Sequence, residues 1–89
     1  MEIIYLNRHN DEIKFKVEED TVKVTGYSEF IRTGYNRSGT QLDFVDFPGG
    51  PWIRLGMGLG IIDPLMTSLK VKKIERAEDH FVLHVIKTK

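Results

Sequence analysis

The residues whose types and spacing could bind something gather in one stretch, 46–60, which reads DFPGGPWIRLGMGLG. It holds five of the chain's eight glycines, two of its three prolines and its only tryptophan. Gly56, Gly58 and Gly60 form a G-x-G-x-G pattern, after a short apolar run and before a helix-start signal at Asp63-Pro64. Backbone N–H groups in such a turn can converge on an anion, and Arg54 would place a cation beside them. Gly49 and Gly50, held between Pro48 and Pro51, permit a close approach of main chain to a ligand. A dinucleotide fingerprint would require a βαβ unit, and a P-loop would require Gly-Lys-Ser/Thr; neither fits this chain. The structural alternative is that these glycines make bulges and corners in a tightly curved small sheet.

Two further residue types point the same way. Trp52, Tyr35, Phe44 and Phe47 could stack a planar ring. No lysine occurs between Lys23 and Lys70, so the cations of the middle of the chain are Arg32, Arg37 and Arg54. An arginine fork suits phosphate or carboxylate. The candidate ligand site is therefore Arg32, Tyr35, Arg37, Gly49, Gly50, Trp52, Arg54, Gly56 and Gly58. The alternative is that Trp52, Phe44 and Phe47 are core.

Other constellations are weaker. His80 and His84 have the spacing of a metal pair on a helix. The β-branched residues around them favour a strand, where they would lie about 13 Å apart, too far to share one ion. Asp43 and Asp46 point to opposite faces of a strand, so they form no acid–base dyad. Asp46, before Phe47-Pro48, reads as a turn cap. No serine or threonine has a histidine partner nearby in the chain. An enzyme is not expected, and neither a metal nor a cofactor is called for.

Composition sets the frame for these residues. The chain has 89 residues, 40% hydrophobic and 29% charged, which suits one domain over 1–89 with a modest core. Thirteen basic residues balance thirteen acidic ones, so the chain lacks the concentrated positive charge of a general nucleic-acid binder. Cysteine is absent, which removes disulfides and thiolate sites and fits a reducing, cytoplasmic setting. The apolar runs are too short to span a membrane, and the first residues do not read as a signal peptide.

The elements that must position the candidate site are mostly strands. Residues 2–7 are apolar and β-prone. Residues 12–18 alternate, with Ile13, Phe15 and Val17 on one face and Lys14, Lys16 and Glu18 on the other. Val22 and Val24 mark a third strand ended by Gly26, so the first third reads as a meander. Residues 29–35, 41–47 and 52–55 are the next expected strands, with turns at 36–40 and 48–51. Residues 65–69 allow one helical turn or a 3₁₀ piece. Residues 70–76 and 80–87 close the chain as a hairpin across Ala77-Glu78-Asp79. The expected class is mainly β, or α+β with one short helix: a small antiparallel barrel or sandwich of seven to eight short strands.

Two functions are consistent with this reading. The first is a non-enzymatic protein that captures a small anionic, nucleotide-like ligand at the glycine loops, as a phage-encoded sequestering protein would. A homo-oligomer is expected there, because one small β domain has little volume for a closed pocket. The second is a protein-interaction module, or an inhibitor, that presents Trp52 and Met57 to a protein partner.

Overall fold

Alternation of apolar and polar residues builds the second and third strands, and a short apolar run builds the first. The computed structural model describes residues 2–6, 9–26, 36–43, 52–61 and 64–88, with Trp52 and Ile61 described through the main chain. Strand β1 (Glu2–Leu6) pairs antiparallel with β2 (Glu12–Val17), and β2 with β3 (Thr21–Gly26). In β2 and β3, Ile13, Phe15, Val22 and Val24 are buried, whereas Lys14, Lys16, Lys23 and Thr25 fall on the opposite face. Asn10 turns the chain between β1 and β2 in the left-handed region, φ 65°, a conformation asparagine tolerates.

The end of the chain forms the second half of the same sheet. Strands β6 (Leu69–Arg76) and β7 (His80–Lys87) make a hairpin whose turn is closed by the Ala77 N–H donating to His80 O at 2.9 Å. Strand β7 then pairs with β3, from Thr21↔His84 to Thr25↔His80. The result is an antiparallel sheet in the order β1-β2-β3-β7-β6. In β6 the buried residues run Leu69, Val71, Ile74, so their spacing changes from two to three. A bulge between Val71 and Lys73 absorbs the extra residue, Lys72, and returns Ile74 to the core face.

Two short strands and two 3₁₀ turns cover the inner face of this sheet. Strand β4 (Gln41–Asp43) pairs with β5 (Trp52–Arg54) as a two-stranded ribbon. Leu42 and Ile53 on the ribbon are fully buried, as are Leu59 and Met66 from the 3₁₀ turns Leu59–Ile61 and Pro64–Met66. These four join one cluster with Phe15, Phe81, Leu83, Val85 and the other inner-face residues. Tyr5 stacks edge-on against Phe15, with centroids 5.7 Å apart and planes at 89°. Each fully buried Phe, Leu or Ile here contributes about 1.5–3 kcal/mol of transfer free energy.

The mainly β class read from the sequence is the observed one: a five-stranded antiparallel sheet with a smaller ribbon packed on it. The helical piece expected near residue 65 is the 3₁₀ turn Pro64–Met66. A second 3₁₀ turn, Leu59–Ile61, occupies a place read as loop. The strand expected at 29–35, the end of the one expected at 41–47 and the cap at Asp63 lie outside the described residues.

Candidate functional site

The described part of the glycine stretch is a corner, with a backbone reason for Gly56 and a steric one for Gly60. After β5 the chain turns and runs against the outer side of β6. Gly56 N–H donates to Val71 O at 2.7 Å, Val71 N–H donates to Met57 O at 2.9 Å, and Gly58 bridges Lys70 antiparallel. The corner itself is tied by Leu55 N–H to Thr40 O at 3.1 Å and Met57 N–H to Arg54 O at 3.2 Å. The N–H groups of Leu55, Gly56 and Met57 are thus all engaged by main-chain carbonyls. Gly56 has φ +87°, a conformation that strains any side chain. A Cβ on Gly60 would lie 2.9 Å from Thr67 Cγ2 and 3.3 Å from Thr67 Cα, so this glycine lets the two 3₁₀ turns approach each other. The segment 56–58 also covers the first half of an outer strand of the sheet, and the bulge follows directly, two devices that shield a strand from unwanted pairing.

What the corner presents outward is side chains. Buried Leu42 and Ile53 face each other across the ribbon and anchor it; Gln41 and Arg54, the neighbouring register pair, lie towards solvent. Arg54 Nε donates to Gln41 Oε1 at 3.0 Å, and Gln41 Nε2 donates to Asp43 Oδ1 at 2.7 Å. This chain of hydrogen bonds fixes the guanidinium stem over the ribbon. Arg54 N–H also donates to Met57 Sδ at 3.0 Å. Leu55, next along the chain, is 42% exposed.

The turn at 36–40 lies against this corner through Thr40 O. It is ordered by Asn36, whose Oδ1 accepts from Thr40 N–H at 2.9 Å and Gln41 N–H at 3.1 Å, the local side-chain bonding that makes asparagine a turn residue. Asn36 N–H bonds back to Gln41 O at 3.0 Å, and Gly39 supplies φ 72°. Arg37 is exposed on this turn.

Of the candidate residues, the structure therefore brings Arg54, Gly56 and Gly58 into one corner and sets the turn carrying Arg37 against it. Trp52 is placed in β5, opposite Asp43. Arg32, Tyr35, Gly49 and Gly50, with Phe44 and Phe47, lie outside the described residues.

The two histidines stand on β7 with separate partners. His84 Nε2 meets Glu75 Oε1 at 2.7 Å, and His80 Nδ1 meets Asp79 Oδ1 at 2.7 Å. The hydrogen bond from His84, with help from nearby Lys73, holds the Glu75 carboxyl below the usual glutamate range. The bond from His80 does the same for Asp79. Among the described residues no group of three or more His, Cys, Asp or Glu is placed to hold a metal ion. An open cleft of about 360 Å³ lies at the far end of β2 and β3, lined by Asn10, Asp11, Glu12, Lys14, Thr25 and Gly26. It is at the small end of the range for ligand pockets, and its charges are of both signs.

On β2, Lys14 and Lys16 lie on the face opposite Ile13 and Phe15, as the alternation of residues 12–18 requires. Register adds what alternation could not: Lys16 stands directly opposite Lys23, with Lys14 two residues along the same face. No helix among the described residues is long and apolar enough to cross a membrane. Comparison of the chain with protein-family models, with characterised proteins and with solved structures gives no match.

Proposed function

We propose that this protein is a non-enzymatic interaction module that takes a protein partner at the corner where β5 turns onto β6. One observation carries the reading. Arg54 and Leu55 are exposed on a backbone pinned by four main-chain hydrogen bonds, those of Leu55, Gly56, Met57 and Val71 N–H. An arginine beside an apolar side chain on a rigid turn loses little conformational entropy when a partner covers it. The neighbouring turn, held by Asn36, would extend the same surface with Arg37.

Capture of a small anionic ligand is the competing function. With the N–H groups of residues 55–57 engaged, it would depend on the side chains of Arg37 and Arg54 rather than on a nest of backbone donors. A paired experiment separates the two. Affinity capture from lysate of the source cells, run with the wild type and with the Leu55→Asp and Arg54→Ala variants, should yield a partner that both variants lose while their unfolding curves stay cooperative. A thermal-shift panel of nucleotides and other small anions should leave the wild type unmoved. A shift with one of them that Arg54→Gln abolishes, and no partner lost on Leu55→Asp, would reverse the assignment. The absence of cysteine fits a reducing compartment as the place where this happens.

A further inference from the structure

The hairpin of β2 and β3 carries seven charged side chains with no ion-pair partner among the described residues: Glu12, Lys14, Lys16 and Lys23 on the outer face, and Glu18, Glu19 and Asp20 at the turn. Their arrangement is unfavourable for a lone domain. Like charges directly opposite on neighbouring strands repel, and Lys16 and Lys23 are such a pair in the middle of the sheet. Glu2 is the register partner of Lys16 on its other side, yet no ion pair forms between them. Lys23 is flanked beyond by Val82, and its charge reaches Asp79 only as a minor influence. The carboxylates of the turn are equally unanswered. The turn is nonetheless well fixed, by Glu18 N–H to Thr21 O at 2.9 Å and by Val85 N–H to Asp20 O at 3.0 Å.

We infer that this hairpin is a docking surface for a second copy of the chain, the lysines of each copy facing the acidic turn of the other. The geometry is self-complementary. The Lys16/Lys23 pair and the Glu19-Asp20 tip are three positions apart along one hairpin, roughly 10 Å at about 3.3 Å per residue. A two-fold axis lying in the plane between the two outer faces, at right angles to the strands and crossing near the Val17/Val22 pair, lays one hairpin antiparallel over the other. It brings each positive group over a negative one twice, as an isologous interface requires. The property follows because the lysine pair and the acidic tip lie on opposite sides of the axis; Glu12 lies farther from the tip than either. A net charge of zero removes the long-range repulsion that would oppose such a pair. Central strands have no free main chain to offer, so the contact is made by side chains and is sensitive to salt.

The test is a set of charge swaps read by sedimentation velocity and native mass spectrometry on the full chain, with circular dichroism to show that each variant is folded. Wild type should be dimeric at low ionic strength and dissociate as salt is raised from about 0.05 M to about 0.5 M, where screening is strong. Lys16→Glu and Glu19→Lys should each weaken the dimer at least about fivefold, since the two-fold counts each exposed pair twice. Lys16→Glu/Lys23→Glu and Glu19→Lys/Asp20→Lys should each be monomeric, and an equimolar mixture of the two should recover a heterodimer. Leu55→Asp should leave the dimer intact, which keeps this surface distinct from the β5 corner. A wild type that is monomeric at low salt, a dimer indifferent to salt, or swapped variants that fail to recover on mixing would each overturn the inference.

Discussion

The glycine corner and the lysine-bearing hairpin make opposite impressions in the sequence and in the structure. The corner, dense in glycine, has a conformational reason for Gly56 and a steric one for Gly60. Strands β2 and β3 alternate in the ordinary way, yet their charges have no partner within the described chain. The lesson is that unusual composition and unusual energetics need not coincide. A glycine that answers a backbone demand is locally consistent, whereas a lysine pair set across a ladder conflicts with its neighbours. Conflicts of the second kind are where a function outside the fold is to be sought.

Substitutions can sharpen or break this contrast, and the glycine series gives the largest effects. Gly60→Ala places a methyl 2.9 Å from Thr67 Cγ2 and should cost about 1–3 kcal/mol in urea unfolding. Gly56→Ala meets no steric obstacle but must hold φ +87°, and should cost about 1–2 kcal/mol. Gly58→Ala would find Leu69 O at 3.7 Å, an ordinary contact, and should change stability by less than about 0.5 kcal/mol. If all three cost the same, or Gly58→Ala costs most, the corner is not held together as described.

The hairpin should respond with the opposite sign. Lys16→Gln, measured at a dilution where the protein is monomeric, removes a cross-strand repulsion. It should stabilise the fold by a few tenths of a kcal/mol, up to about 0.5. Loss of stability instead would show that Lys16 is already answered inside its own chain, by Glu2 in the first instance. The smallest effect concerns Glu75. Its carboxyl is held low in the folded state by the His84 hydrogen bond first and Lys73 second, so ionised Glu75 favours folding. That contribution is complete above the usual glutamate range and is lost as pH falls through the depressed folded-state value. A carboxyl-carbon NMR titration should show the Glu75 midpoint rising towards the ordinary value in His84→Ala; an unmoved midpoint would remove His84 as the cause.

Much of the fold was legible because it is written in alternation. Ile13, Phe15, Val22 and Val24 give β2 and β3, and the apolar residues around Ala77-Glu78-Asp79 give the closing hairpin. The bulge also left a trace: Val71 and Ile74 are both apolar with two lysines between them, a spacing a regular strand cannot bury on one face. The role of the glycine corner left none. Whether Gly56 N–H faces a ligand or Val71 O depends on where β6 arrives, and nothing near residue 56 in the sequence states that. The Lys16/Lys23 pairing was hidden for the same reason, since cross-strand neighbours follow from register and not from spacing along one strand.

The order β1-β2-β3-β7-β6 carries a kinetic consequence. Within each end of the chain, strands meet across short turns, as β6 meets β7 across Ala77, Glu78 and Asp79. The seam between β3 and β7 is different, because Thr25 and His80 lie 55 positions apart (80 − 25). Closing a loop of that length costs about 2–2.5 kcal/mol more entropy than closing a tight turn. The rate-limiting encounter in folding should therefore be the zipping of two preassembled halves along Thr21–Thr25 and His80–His84, and substitutions at Val22, Val24, Phe81 and Leu83 should slow it more than equally destabilising ones in β1.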